Sequence, residues 1–316
     1  MLLQIGKKSD SFDSRHLALA FSSDGALLAS TGQDGSVVLW DAQSGKEGRT
    51  LVEPLPLTKG TYEYLGRTIE NVIFTSDGTL LGAGGFKFGV RRWDPNTGKE
   101  MLKIDEVEAP IALAPDQKRI AASSRLDHSI VVIELSSGQR SLSLHGHPQS
   151  VTSIHFSPDG KSITSGSHDG TVRFWDLASE KETHRIGEER RESVIGPPFP
   201  HCVRFSPDGS LVAVSYHGCF HLGLEILETK TKGKIASLSA GNSDSIAFSP
   251  DGNVLAYQGE EDRIELWDVK RKQKSAVSTS PAPGRVFSIA FSPDGKRLAT
   301  TGDGGLILLW DLSKFR

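Results

Sequence analysis

Repetition is the strongest constraint on this chain. A five-residue sentence of the form Phe-x-x-Asp-Gly occurs as "FSSDG" from 21, "FTSDG" from 74 and "FSPDG" from 156, 205, 248 and 291, with "LAPDQ" from 113 as an eroded seventh copy. In five copies the Trp of a Trp-Asp pair follows 15 residues after the sentence ends, at Trp40, Trp93, Trp175, Trp267 and Trp310. The third copy reaches Ile133-Glu134 after 16 residues and the fifth reaches Leu227-Glu228 after 18, each keeping an apolar residue before an acid. Self-similarity at a fixed period means one supersecondary unit stacked on copies of itself.

Within a unit the pattern is that of strands. In residues 150–177, "VTSIHF" is short and rich in β-branched residues, Ser-Pro-Asp-Gly supplies a tight turn, "SITSGS" makes a second strand, His168-Asp169-Gly170 a second turn and "TVRFWDL" a third strand. A helix would need ten or more residues between Asp-Gly breakers, and none are available. Third strands such as "SVVLW" and "LILLW" are nearly continuous apolar runs, as expected of sheets covered on both faces. A fourth strand follows each Trp-Asp, for example in "GKEMLKI" at 98–104 and "GQRSLSL" at 138–144. The 33 glycines in 316 residues fit many tight turns without a collagen period.

Seven such units across the chain resemble the WD-repeat family. The resemblance implies an all-β fold, a closed seven-bladed β-propeller of four-stranded antiparallel blades, occupying residues 1–316 as one domain. It also implies a hydrogen-bonded chain in the fourth repeat through His147, Ser165, Asp169 and Trp175. Repeat one keeps Ser30, Asp34 and Trp40 without the His, and the other repeats lack more, so most blades are expected to hold by packing. The chain runs six residues past Trp310, while 20 precede Phe21. The expectation is that residues 2–6, "LLQIG", supply the outer strand of the last blade and close the ring.

Charge and cysteine usage bound the function. A net charge of −3 gives no basic field for nucleic acid or anionic lipid, and no apolar run is long enough to span a membrane. Two cysteines, Cys202 and Cys219, are too few for a disulfide framework and suit a reducing compartment, so a cytoplasmic location is expected. No hydrolase or phosphate-binding motif occurs, and the Asp of each Asp-Gly pair is read as a turn former. Neither His145 with His147, nor His217 with Cys219 and His221, is read as a metal site, and no cofactor is expected. The basic run Lys270, Arg271, Lys272 and Lys274 is read as a solvated turn.

The unexplained residues are insertions. Trp-to-Phe gaps are 34 between repeats one and two and 30 between four and five, against 20 to 24 at the other internal junctions. In an up-and-down blade these connections share one face with the turns between second and third strands. The insertions hold Tyr62, Tyr64 and Arg67, then Arg190, Arg191, Phe199 and His201; the turns add Phe86, Phe88, Arg125, His128 and Phe220. Aromatic and Arg residues are enriched at interface hot spots. The expected function is a non-catalytic, monomeric scaffold that binds a protein or peptide partner on this face. The alternatives are a hydrolase or lactonase with a central metal site, and a regulatory module of a larger protein. The hydrolase reading needs acids or histidines at the inner strand ends, which "LALAF", "NVIFT" and "DSIAF" do not supply.

Overall fold

A computed structural model describes residues 3–5, 16–54, 68–85, 87–189, 198–218, 223–240, 245–277, 284–303 and 305–314. Seven four-stranded antiparallel sheets form the blades of a propeller. Their innermost strands, opening blades 1 to 7 in order, are β2 (His16–Phe21), β6 (Ile69–Phe74), β10 (Val107–Leu113), β14 (Val151–Phe156), β18 (Phe199–Phe205), β22 (Ala247–Phe248) and β26 (Val286–Phe291). Blade 4 adds β15 (Ser162–Ser167), β16 (Val172–Asp176) and β17 (Lys181–Ile186) in simple succession.

The ring closes as the sequence predicts. Strand β1 (Leu3–Ile5) lies antiparallel to β28 (Ile307–Asp311), with Leu3 opposite Leu309 and Ile5 opposite Ile307. Ile5 is fully buried and belongs to one cluster with Leu19, Leu28 and Trp40 of blade 1 and Ala299 and Leu309 of blade 7. Closure leaves β28 paired on both sides, which removes an apolar sheet edge.

The repeated turn has a local cause. In "FSPDG" the Ser Oγ–H donates to the Asp Oδ1 at 2.6 Å, as in Ser157–Asp159, Ser206–Asp208 and Ser292–Asp294, and the same carboxylate accepts the N–H two residues beyond it. The following Gly takes φ between +66° and +71° in these four copies, a conformation open to Gly at little cost. The third repeat has Ala114 in place of the Ser and Gln117 in place of the Gly, the latter at φ +61°.

Side chains tie neighbouring inner strands around the channel. The backbone N–H of Leu19 donates to Ser288 Oγ (3.1 Å), Ile111 to Asn71 Oδ1 (2.9 Å), Val203 to Ser153 Oγ (3.0 Å) and Ile289 to Ser245 Oγ (3.2 Å). Inner strands of adjacent blades cannot share a ladder, so these bonds satisfy amides that would otherwise face the channel.

Candidate binding site at the channel mouth

The innermost strands are not regular. Their ladder to the second strand skips Leu17 in β2, Glu70 in β6, Ala109 and Pro110 in β10, Thr152 in β14, His201 in β18 and Phe287 in β26. These are β-bulges, which re-aim a side chain out of the pleat. All seven skipped residues line one cavity of about 540 Å³ in the channel, together with Glu108, His168 and Arg204. Inner strands run away from the face that carries the long connections, and the bulges sit in their first half. The ring of re-aimed side chains is therefore the channel mouth on that face.

The mouth has two chemically different sides. On blades 2 and 3, Glu70 and Glu108 face the channel. Burial, and then the charge of Glu108, push the Glu70 carboxyl above the usual carboxylate range. Burial also raises Glu108, against the pull of Arg125 and His128. On blades 4 and 5, Phe199 meets the ring of His168 edge-on at 4.5 Å and that of His217 stacked at 5.7 Å, and His217 lies 5.6 Å from His201. Burial, with His217 next, lowers the pKa of His168. Arg285 of blade 7 reaches His217 Nδ1 at 3.3 Å and lies 5.8 Å from the ring of Phe287.

Two sequence expectations need correction here. Phe199 and His201 are not in the insertion after repeat four but on β18, because that strand pairs through Phe199–His217 and Pro200–Tyr216 to the end of a seven-residue partner. Acids and histidines do reach the inner strand ends. The string "NVIFT" begins just after the bulged Glu70, and Glu108 and His201 belong to blades 3 and 5, which none of "LALAF", "NVIFT" and "DSIAF" covers. Their signal is the polar residue one or two places before an inner strand's apolar run.

The other expected contact residues are dispersed. Phe88 lies against Trp93, with ring centroids 6.1 Å apart, and under the guanidinium of Arg91. Arg125 donates to the Asp105 carbonyl, and His128 takes φ +60° in the same turn. Between them Leu126 is 83% exposed. Tyr62, Tyr64, Arg67, Phe86, Arg190, Arg191 and Phe220 lie outside the described residues, as do Cys219 and His221. Among the described residues no three His, Cys, Asp or Glu side chains group as metal ligands. His145 lies 3.4 Å from Asp127.

Behind the mouth, blade 4 holds a buried polar chain. Trp175 Nε1–H donates to Ser165 Oγ at 2.9 Å, Ser165 lies 2.8 Å from His147 Nε2, and His147 Nδ1 lies 2.7 Å from Asp169 Oδ2. In blade 1, Trp40 Nε1–H donates to Ser30 Oγ at 2.8 Å, while Asp34 accepts from the Ser36 N–H.

Comparison with known proteins agrees with this architecture. The family "WD domain, G-beta repeat" matches residues 11–41, 138–176 and 274–311. Among curated relatives, Periodic tryptophan protein 2 homolog of Dictyostelium discoideum is 25% identical over 279 residues, 80% of this chain and 28% of that protein. Transcription factor unc-37 of Caenorhabditis elegans is 27% identical over 247 residues, 75% of this chain and 37% of that protein. WD repeat-containing protein 55 of Bos taurus is 24% identical over 265 residues, 82% of this chain and 64% of that protein. The chain thus spans less than two thirds of the length of each of these three. With its seven repeats folded as seven blades, the chain belongs to the WD-repeat family of β-propellers.

Proposed function

We propose that this propeller is a non-catalytic platform that binds a protein partner at the channel mouth described above. WD-repeat propellers generally bind proteins, and the observation that carries the reading to this site is the bulge ring. Six inner strands interrupt their ladders, and the residues they release differ in kind from blade to blade: Leu17, Glu70, Ala109-Pro110, Thr152, His201 and Phe287. A purely structural ring would be filled with similar apolar side chains. A varied one, beside the Phe199 and histidine cluster, has the mixture of anchors and polar groups that interfaces use. Tyr62, Tyr64, Arg67, Arg190 and Arg191, which lie outside the described residues, are further contact residues in this reading on their place in the sequence alone. The propeller itself acts as a monomer, alone or within a larger protein, in a cytoplasmic compartment, with neither nucleic acid nor membrane as partner.

The test is affinity capture with wild-type propeller and with the His201→Ala/Phe287→Ala variant. Partners should be lost with the variant while its melting temperature stays close to wild type, and Lys161→Ala on the opposite face should keep them. Retention of every partner by the double variant would reject the site. A hydrolase reading has the Glu70–Glu108 pair in its favour. Turnover of ester or lactone substrates that vanishes in both Glu70→Gln and Glu108→Gln would replace the binding reading.

A further inference from the structure

Each blade packs on the next across a seam, and two neighbouring seams are finished differently. At the seam between blades 7 and 1, Arg297 of blade 7 reaches across. Its Nη1 donates to the Ala42 carbonyl at 2.6 Å, its Nη2 to the Gly25 carbonyl at 3.0 Å, and its guanidinium lies 5.7 Å from the Phe21 ring centroid. Arg297 follows Gly295 by two residues and stands opposite Asp311 of the last Trp-Asp. In blade 6 the same place, two residues after Gly252 and opposite Asp268, is taken by Val254. Valine ends at its two methyl groups and cannot span a seam that arginine fills.

The seam between blades 6 and 7 is correspondingly open. The counterparts of Phe21, Gly25 and Ala42 in blade 7 are Phe291, Gly295 and Leu312, and all three line a groove of about 520 Å³ with Val254. Leu266 and Ala276 of blade 6 continue its apolar wall. This groove lies on the face opposite the channel mouth, among the turns after the first and third strands. Arg271 lines it with its side chain 74% exposed, and the flanking Lys270 and Lys272 are exposed and form no ion pair with a described residue. Lys274, by contrast, is engaged by Glu265 at 2.6 Å. The acids that line the groove, Asp251 and Asp294, already accept hydrogen bonds from Ser249, Asn253, Ser292 and Lys296 in their own turns.

We propose that this open seam is a second docking site, which takes an extended segment of a partner protein bearing a bulky apolar side chain flanked by acidic residues. The apolar side chain occupies the volume that Arg297 fills one seam further on, and removes the half-buried Val254, Phe291 and Leu312 from water. The acidic flanks meet the cations at the rim, which gives the site its charge preference and a salt-dependent on-rate. The site is independent of the channel mouth, since no residue is shared.

Methyl-labelled protein titrated with three synthetic peptides tests this. The peptides share a Leu-Phe centre flanked by Asp and Glu, by Ser, or by Lys and Arg. The acidic peptide should shift the methyl resonances of Val254, Leu266 and Leu312 saturably, and bind about fivefold or more tightly than the Ser-flanked one. Val254→Arg, which closes the seam as Arg297 does, should weaken it about tenfold or more. Lys270→Glu/Lys272→Glu, confined to exposed positions, should weaken it about fivefold and leaves the fold intact if Val254→Arg does not. No saturable shift at these methyls, equal binding of all three peptides, or preference for the Lys and Arg peptide would overturn the proposal.

Discussion

His147 Nδ1 lies 2.7 Å from Asp169 Oδ2, with both side chains buried, and this contact sets the direction of the polar chain in blade 4. Trp175 can only donate, so Ser165 Oγ accepts from it and gives its own hydrogen to His147 Nε2. The imidazole must then carry its hydrogen on Nδ1 and donate to Asp169. This is a neutral ring, in agreement with burial lowering its pKa against the pull of Asp169. Asp169 also accepts from Thr171 N–H and Oγ1–H and from Arg173, so one carboxylate holds three residues of one blade through four contacts.

Asp169→Ala should therefore cost about 2–3 kcal/mol, since it leaves the buried His147 and Thr171 without their acceptor, whereas Arg173 keeps Glu182 and Glu189. Asp294→Ala, which removes an Asx bond from a solvent-facing turn, should cost about 1 kcal/mol. Urea melts of the two variants compare them directly. Equal losses would mean that the buried chain contributes no more than a turn cap.

A second regularity joins third and outer strands. Arg91 with Glu100, Arg173 with Glu182, Glu225 with Lys234 and Glu265 with Lys274 are all nine residues apart and lie within 3.6 Å, with the sign of the pair reversed between blades 2 and 4 and blades 5 and 6. The inner member is buried in the Arg91, Arg173 and Glu265 pairs, and there the partners decide whether a charge is stranded; Arg91 is held by Asp105 as well, at 2.9 Å. Glu265 retains Tyr257 Oη–H at 2.7 Å if its lysine is removed. Lys274→Ala should cost about 1 kcal/mol and Arg173→Met about 3 kcal/mol, because the latter leaves Asp169, Glu182 and Glu189 without their common cation. A larger loss for Lys274→Ala in denaturant melts would contradict this ranking.

Legibility followed range. The Ser157–Asp159 turn and the strands around it were readable because each is determined by neighbours a few residues away. Ring closure was readable because a missing outer strand leaves a count that does not balance until residues 2–6 are placed. Glu70, Glu108 and the true position of His201 were not, because a bulge inserts residues where period-two alternation predicts none. The open seam is legible only once Val254 and Arg297 are set side by side, a comparison between blades that no single repeat contains.

Closure is the most exposed part of the architecture. Ile5 is nearly fully buried, although it belongs to a three-residue strand held by one neighbour. Ile5→Ala should cost about 2–5 kcal/mol from the cavity left between blades 7 and 1. Deleting residues 1–8 should expose the edge of β28 and shift the protein toward higher oligomers in sizing chromatography. A monodisperse monomer with an unchanged melting temperature after the deletion would show that β1 contributes nothing to closure.

Acid should loosen the propeller before its carboxylates titrate. Burial, with the charge of Arg204 next, pushes the His155 imidazole down to about 3, and the neutral ring accepts the Phe205 N–H at 3.3 Å. An unfolded histidine titrates near ~6.5, so below that pH the unfolded chain binds a proton that the folded chain refuses. The stability due to neutral His155 is complete above ~6.5 and is lost as pH falls, at up to ~1.4 kcal/mol per pH unit. His147 and His168, also lowered by burial, act with the same sign. Glu70 and Glu108, which are raised, act with the opposite sign closer to the carboxylate range. Urea midpoints should therefore fall steadily from about pH 6.5 to 4.5 and be flat from about 7 to 8 as far as these groups decide. His155→Gln keeps an acceptor for Phe205 but removes the titration, and its profile over the acid range should be shallower than wild type by one proton. Parallel profiles for the two proteins would show that His155 is free to protonate in the folded state, and that the channel wall around it is open to water.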